Sequence, residues 1–277
     1  MKTIVTHLSP DLDAITSCWL IRRFMPGWDE AGIVFVPQQT LWNEVKPDSD
    51  PDILYVDTGF GKFDHHQIKG RLSASKIIYS HLTIEKLIDP GCSAALGRVI
   101  EYVNEIDNFA EVTYPDPTSD KYDFCLHQLI TGLKKTGLND LAIVDAVSKL
   151  LEGSLELFKN KIRAEKEVEK GYIFQSTFGK CLSMSTANDE ALRLAQKMGY
   201  QLVMTKDPQK GSVRIKTPPS KDLDLTPVYN KIKEKDTKGY WFLHISKNML
   251  LNGSAMTPNA TPTTLTSQQL IEIIQHV

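Results

Sequence analysis

Acids and histidines follow short, apolar, β-branched stretches in the first 66 residues of this chain. One polar run follows Thr3–Thr6 and another follows Ile53–Val56, and both stretches are typical of strands. Polar residues directly after strands are typical of open α/β sheets, which bind ligands beyond the carboxyl ends of their strands. We therefore predict a shared metal site at the ends of three strands. The candidate residues are His7, Asp11, Asp13, Asp57, Asp64, His65 and His66.

Strand and helix patterns alternate over about the first 110 residues. Helices are predicted at Asp11–Phe24 and Ser93–Val103, and a further strand at Ile33–Val36. This alternation predicts an α/β fold, with a parallel sheet that carries helices on both faces. Pro90-Gly91 is predicted to form a turn between elements.

The chain is long enough for two domains, each with its own core. We predict a metal-binding catalytic domain over residues 1–158, a linker helix over 159–171 and a smaller α/β substrate-binding domain over 172–277. The linker is predicted to be exposed because Lys159–Lys170 is dense in Lys and Glu. The elements expected in the second domain are a strand at Cys181–Ser185, helices at Asp189–Met198, Thr226–Lys235 and Ser267–Gln275, and a hairpin of Gln201–Thr205 with Ser212–Thr217.

The composition limits the partners, the state of the thiols and the localisation that we expect. Because the net charge is −2, no global basic field indicates long nucleic acid as an obligatory partner. The four cysteines show no C-x-x-C spacing, which predicts reduced thiols rather than disulfides. The sequence contains no 18-residue apolar stretch and no basic leader, so we predict a cytoplasmic protein that is not attached to a membrane.

Each polar run also has an ordinary structural interpretation. Asp11 occupies the N-cap position of a predicted helix, and Asp13 lies in the first turn of that helix. Asp57 belongs to an Asp-Thr-Gly run that is common in turns. Together, however, at least four carboxylates would converge, and without a counter-charge they would repel one another or bind protons. Divalent cations remove this conflict, and carboxylates with imidazoles favour manganese, magnesium, cobalt or zinc.

The same motifs resemble those of the DHH phosphoesterase superfamily. The matching residues are His7-Leu-Ser-Pro-Asp11-Leu-Asp13 for the first motif, Asp57 for the second, Asp64-His65-His66 for the third and Asp107 for the fourth. The resemblance covers roughly the first 110 residues. It implies a two-lobed protein in which a divergent DHHA1-like domain follows the DHH domain.

The resemblance also implies two divalent ions, with Mn²⁺ as the leading candidate and Mg²⁺, Co²⁺ or Zn²⁺ as alternatives. Two such ions about 3.5–4 Å apart lower the pKa of a shared water and polarise the phosphoryl oxygen under attack. His66 is predicted to contact the substrate phosphate, and Asp64 to support catalysis by orienting the histidines. The implied ligands are His7, Asp11 and Asp57 for one ion, and Asp13, Asp57, His65 and Asp107 for the other, with Asp57 as the bridge.

The second domain departs from the family pattern, because the expected Gly-Gly-Gly-His loop is missing. The nearest equivalent is Trp241-Phe242-Leu243-His244, followed by Leu251-Asn252-Gly253-Ser254, which makes His244 a candidate substrate contact. Lys206, Arg214 and Lys216 flank the predicted hairpin and are candidate phosphate contacts. A packed histidine and a solvated charged hairpin are the competing interpretations.

Other aromatic and histidine residues match no motif. Trp19, Trp28 and Trp42 are predicted to be packing groups rather than base-stacking platforms. His81 and His127 are predicted to be structural.

The favoured function is a two-metal phosphohydrolase that cleaves phosphodiester bonds of short oligonucleotides or small nucleotides, which includes nuclease activity. Short substrates are favoured because binding of long strands draws on many phosphate contacts, which a nearly neutral chain does not offer. One alternative is a hydrolase of pyrophosphate or polyphosphate, and another is a metal-binding regulatory module without turnover. The expected partner is a small phosphorylated molecule or a short single strand, and a homodimer is left open.

Overall fold

The computed structural model describes residues 1–253, 257 and 259–277. Ser254, the last residue of the predicted Leu251–Ser254 run, lies outside the described residues. The chain forms two compact units, Met1–Lys159 and Asn160–Val277. Each unit has its own sheet, so the predicted α/β class is confirmed.

The first unit contains a parallel three-stranded sheet with the order β2-β1-β3. The strands are β1 (Thr3–His7), β2 (Gly32–Val36) and β3 (Ile53–Tyr55). Residues 3–6 of the central strand are buried, as their β-branched sequence predicts. Because all three strands run in the same direction, their carboxyl ends lie at one edge of the sheet.

Five helices begin in the first unit. They are α1 (Leu12–Phe24), α2 (Ala74–Ile84), α3 (Pro90–Asp107), α4 (Leu126–Lys134) and α5 (Asp140–Glu169). The prediction of a turn at Pro90-Gly91 is wrong, because both residues lie in the first turn of α3, which Asp89 caps by accepting a hydrogen bond from Gly91 N. Proline is tolerated there since the N–H that it lacks would have no partner within the helix.

The division between the two units falls inside α5, which is continuous from Asp140 to Glu169. Ala164 and Val168 of this helix are buried against Leu182 and Met184 of the second unit's sheet. The prediction that Lys159–Lys170 is exposed is therefore wrong at these two positions. Its charged residues surround an apolar stripe that was too narrow to recognise in the sequence.

The second unit contains a six-stranded mixed sheet with the order β4-β5-β6-β7-β9-β8, in which only β5 and β6 pair in parallel. The predicted hairpin is present as β6 and β7, which pair antiparallel. The strands are β4 (Tyr172–Ser176), β5 (Gly179–Ser185), β6 (Leu202–Lys206), β7 (Val213–Lys216), β8 (Trp241–Leu243) and β9 (Met249–Asn252), and the helices are α6 (Asp189–Lys197), α7 (Thr226–Lys235) and α8 (Ser267–Gln275).

All four cysteines are free thiols, as their spacing predicted. Within the part of the chain that the structure describes, no helix has the length and apolar character needed to cross a membrane.

Candidate metal centre

His7 and Asp57 meet at the carboxyl edge of the first sheet. His7 is the last residue of β1, and Asp57 follows the neighbouring strand β3 by two residues. His7 Nε2 lies 3.3 Å from Asp57 Oδ2. The backbone of the buried Asp57 is left-handed, with φ of 53°. A non-glycine residue in that conformation costs free energy and is common where side chains must be aimed at a site.

The third polar run, Asp64-His65-His66, lies beside Asp57 but does not follow a strand, so the prediction of three strand ends is wrong. Phe63 forms a single β-bridge with Val56, and Asp57 N donates a hydrogen bond to Phe63 O. This contact folds residues 57–66 back on themselves and brings His65 Nε2 to 3.1 Å from Asp57 Oδ1. The two carboxylate oxygens of Asp57 therefore face different histidines.

Asp11 and Asp13 are held by two different helices. Asp11 is the N-cap of α1 and accepts a hydrogen bond from Ala14 N. Asp13 is buried, and its oxygens accept hydrogen bonds from Ala74 N and Ser75 N at 2.7 and 2.9 Å. The amino-terminal end of α2 therefore fixes Asp13, as helix amides commonly hold carboxylates.

Asp107 is the last residue of α3, and its Oδ2 lies 3.7 Å from His65 Nε2. Its side chain is 13% exposed, close to the 14% of His7. The residue that was matched by its order in the sequence alone therefore lies beside the other predicted ligands.

The side chains form three groups whose ligand atoms lie within 4.8 Å of one another. All six predicted ligands belong to at least one group, and Asp57 and His65 each belong to two. The groups are His7 with Asp11 and Asp57, Asp13 with His65 and Asp107, and Asp57 with His65 and His66.

Two oxygens of these groups suit a cation better than a hydrogen-bond donor. Asp57 Oδ1 and Asp107 Oδ2 are buried, and neither accepts a well-aligned hydrogen bond within the described residues, although His65 Nε2 lies 3.1 Å from the first oxygen and 3.7 Å from the second. A buried carboxylate oxygen without a partner is costly, because desolvation is not offset. Oxygen and imidazole donors together suit Mn²⁺, Mg²⁺, Co²⁺ or Zn²⁺, so the residues present fit a divalent-metal site.

The pKa values of the site are shifted because several carboxylates lie close together and are largely buried. Burial, followed by repulsion from Asp57 and Asp107, raises the pKa of Asp13 to about 8. Burial also raises the pKa of Asp107 to about 6, although His65 opposes this. Burial is the largest single effect on His7 and would lower its pKa, but the hydrogen bonds with Asp57 and Leu8 O and the charges of Asp57 and Asp11 together raise it to about 9. The interaction with Asp57 likewise raises the pKa of His65 to about 9.

The pKa of Asp57 moves in the opposite direction. Burial would raise it, but the imidazoles of His65 and His7 outweigh burial and lower it. Asp57 is thus the anion around which the site collects positive charge. Without cations, protons on the neighbouring groups supply that charge.

Asp64 forms a hydrogen-bonded pair with His66, which is itself a member of the third group. The fully buried Asp64 accepts hydrogen bonds from Phe60 N, from His66 N and from His66 Nδ1, the last at 2.6 Å. These bonds fix the orientation of the His66 ring. Because Nδ1 donates to Asp64, Nε2 is the atom left to meet a ligand.

The site includes a residue that sequence reasoning missed. Gln38 Nε2 lies 3.3 Å from His66 Nε2. Gln38 follows β2 by two residues, so it occupies the same sheet edge as His7 and Asp57. The available signal was a polar residue two positions after the predicted strand Ile33–Val36.

The predicted cationic contacts Lys206, Arg214 and Lys216 lie in the second unit. Lys206 donates a hydrogen bond to Leu265 O at 2.6 Å, and Arg214 forms an ion pair with Asp189. Burial, reinforced by neighbouring arginines, lowers the pKa of the half-buried Lys216. A substrate contact by any of the three stays a prediction.

His244 follows β8 in the second unit. Its Nδ1 lies 2.8 Å from Ser246 Oγ, and its ring centroid lies 6.4 Å from that of Phe242. These local contacts are those of the packed histidine considered from the sequence. The role of His244 towards substrate stays a prediction.

No protein-family model and no curated protein matches the chain. Among solved structures, the chain is similar to the pGpG-specific phosphodiesterase PggH of Vibrio cholerae, with a TM-score of 0.35, 15% identity and coverage of 90% of this chain and 91% of that one. It is also similar to RecJ of Thermus thermophilus in complex with Mg²⁺, with a TM-score of 0.29, 12% identity and coverage of 99% of this chain and 49% of that one. A third similar structure is the DHH domain of a member of the s1p family of ribosomal proteins, with a TM-score of 0.33, 10% identity and coverage of 99% of this chain and 85% of that one. One of these structures is described as a DHH domain. Likeness of this degree does not assign a function, which depends on the geometry of the site.

Binding of Mn²⁺ to the metal-free protein should release protons at about pH 7, because Asp13, His7 and His65 hold protons there and must lose them to bind a metal. Isothermal titration calorimetry in two buffers of different ionisation enthalpy measures the number released. The Asp13→Asn variant should release about one proton fewer. A binding heat that does not depend on the buffer would contradict this assignment of protons.

The metal-free protein should become less stable as pH rises from about 5 to about 9. The folded-state pKa values of Asp13, Asp107, His7 and His65 all lie above their ordinary values. A group with a raised pKa stabilises the fold fully below its unfolded-state pKa, and this contribution is lost as pH rises to the folded-state value. Asp57 acts in the opposite sense, but only below about pH 4.

Urea unfolding in the presence of a chelator, followed at several pH values, measures this dependence. The Asp107→Asn variant should have a flatter profile between about pH 4 and pH 6, where that carboxyl group titrates differently in the two states. A wild-type midpoint that increases towards pH 9 would show that these pKa directions are wrong.

Proposed function

We propose that this chain is a two-metal phosphohydrolase that cleaves phosphodiester bonds in short oligonucleotides or small nucleotides. The observation that carries the proposal is the Asp57 carboxylate, which presents one oxygen to His7 and the other to His65. One carboxylate with a ligand group on each side is the arrangement that bridges two ions.

In this proposal, Asp57 is shared between two ligand sets. Their members are His7, Asp11 and Asp57 on one side, and Asp13, Asp57, His65 and Asp107 on the other. The buried oxygens Asp57 Oδ1 and Asp107 Oδ2, which accept no well-aligned hydrogen bond, support this assignment. When bound, the pair of cations, with Mn²⁺ as the first candidate, supplies an acidified water and a polarised phosphoryl oxygen.

His66 is proposed to act on the substrate rather than as a metal ligand. Its Nδ1 is engaged with Asp64, and its side chain is 31% exposed, more than that of His7 or His65. With Nδ1–H held by Asp64, Nε2 of the neutral ring can accept a proton from the attacking water, and the protonated Nε2–H can then donate to a phosphate oxygen or to the departing oxygen. Asp64 is the positioning residue that sets the tautomer and the direction of the ring.

The size of the proposed substrate is argued from charge. The net charge of −2 provides no field for a long polyanion, and the ligand cluster itself is acidic until cations bind. Hydrolysis of pyrophosphate or polyphosphate and metal binding without turnover are the competing functions that the sequence left open.

The Asp57→Asn variant should lose Mn²⁺ uptake and reduce hydrolysis by about 1,000-fold or more, since a neutral amide does not bridge two cations. Metal content by elemental analysis and turnover of a dinucleotide measure both effects. Asp29→Asn is the matched control, because Asp29 is an exposed aspartate of the same unit.

The wild-type protein tested with Mn²⁺ should release product from a dinucleotide faster than phosphate from pyrophosphate. Preference for pyrophosphate would favour the phosphoanhydride function. Metal uptake with no turnover of either substrate would favour the regulatory module. Full activity of Asp57→Asn would contradict the two-metal mechanism.

The His66→Ala variant should keep its Mn²⁺ content but lose kcat by about 100-fold or more, the size of effect expected when proton transfer or transition-state contact is removed. Steady-state kinetics and elemental analysis on the same preparation separate the two properties. Loss of metal together with activity would instead identify His66 as a ligand, in line with its group with Asp57 and His65.

A further inference from the structure

A cavity of about 290 Å³ opens directly beside the ligand carboxylates in the first unit. Asp11 and Asp13 lie at one side of it, where α1 begins, and Asp107 lies at another, where α3 ends. Its volume is at the lower end of the range of small-molecule sites, about 300–1,000 Å³. A group bound here would lie next to the atoms that the ligand cluster acts upon.

One face of α4 forms the wall opposite these carboxylates. His127, Ile130, Thr131 and Lys134 all line the cavity, and their spacing of three and four residues places them on one side of the helix. Ile130 is buried and gives this wall an apolar centre. His127 and Thr131 place polar atoms beside it.

Phe109 adds an aromatic ring at the mouth of the same cavity. It is 73% exposed, and its backbone is left-handed with φ of 56°. A single exposed phenylalanine is ordinary on protein surfaces, but a large side chain held in this backbone conformation is not. The Phe109 N–H donates a hydrogen bond to Ile106 O, which holds the backbone of Phe109 in place two residues after Asp107.

The charges of the lining decide what kind of group fits. Lys134 is the one Lys or Arg among the described lining residues, against the carboxylates of Asp11, Asp13 and Asp107, and its Nζ already donates to Ser9 O at 2.9 Å. In the proposed function cations neutralise these carboxylates, so the rest of the lining offers a second phosphate only this already engaged lysine as a partner. An uncharged planar ring would meet Phe109, Ile130 and the polar atoms of His127.

We infer that this cavity, bounded by Phe109 and the His127–Lys134 face of α4, binds a nucleobase of the substrate. The base stacks on Phe109, and its polar edge faces His127 and Thr131. This inference rests on the proposed phosphohydrolase function and selects nucleotides over inorganic polyphosphates. It also replaces the structural role predicted for His127 with one in substrate binding.

The orientation of His127 is consistent with that role. Its Nδ1 lies 3.3 Å from the Tyr102 hydroxyl, so Nε2 is the ring atom left for a base. Burial lowers the pKa of His127, which favours a neutral ring that can either donate to or accept from a base edge.

The test compares a dinucleotide with an abasic analogue that has the same sugar–phosphate backbone, using Phe109→Ala, Phe109→Trp and wild type with Mn²⁺. Phe109→Ala should raise KM for the dinucleotide about tenfold, the order of magnitude of one base-stacking contact, and leave KM for the abasic analogue unchanged. Phe109→Trp should behave like wild type. Phe124→Ala is the control, since Phe124 is 81% exposed in the same unit but does not line the cavity.

If Phe109→Ala changes KM equally for the dinucleotide and the abasic analogue, or changes neither value, the inference is overturned. A second measurement does not depend on catalysis and uses the fluorescence of 2-aminopurine ribonucleoside 5′-monophosphate with Mg²⁺. Wild type should quench this fluorescence, and at equal protein concentration the degree of quenching by Phe109→Ala should be about tenfold smaller. If wild type hydrolyses neither substrate, the proposed function fails, and this binding measurement alone decides the nucleobase site. Equal quenching by wild type and Phe109→Ala would reject it.

Discussion

The buried Asp57 carboxylate is an anion that needs positive charge nearby, and this requirement determines which side chains surround it. Adjacent parallel strands place His7 beside one of its oxygens, and the fold-back at Phe63 places His65 beside the other. Such a buried anion is stable only when positive charge surrounds it. Histidines supply that charge as protons, and divalent cations supply it more fully. The proposed chemistry follows from this requirement, because cations held there by Asp57 share a ligand.

The helices of the first unit serve the same cluster. The first turn of α2 holds Asp13 through two backbone amides, and the end of α3 presents Asp107. Residues that are far apart in the chain are thus held by rigid elements, which limits the cost of ordering them when a ligand binds. The same two ends, with α4, also shape the adjacent cavity. The proposed metal site and the proposed nucleobase site therefore depend on one set of helix positions.

The sequence predicted those features that local pattern determines. The strand ends at His7 and Asp57, and the helices α7 and α8, agree closely with the structure. It did not predict α2, or the hairpin of β8 and β9, whose short strands carry a weak alternating pattern. Within the site, the motifs named all seven residues of the three groups, but not Gln38 or the α4 face. Those side chains reach the cluster only through tertiary packing, which spacing along the chain does not reveal.

Anomalous X-ray diffraction from crystals grown with Mn²⁺ locates each bound ion without reference to activity. Two anomalous peaks are expected in the first unit, both within coordination distance of Asp57, one beside His7 and the other beside His65. A single peak, or two peaks of which either lies beyond coordination distance of Asp57, would show that Asp57 is not a ligand shared by two ions.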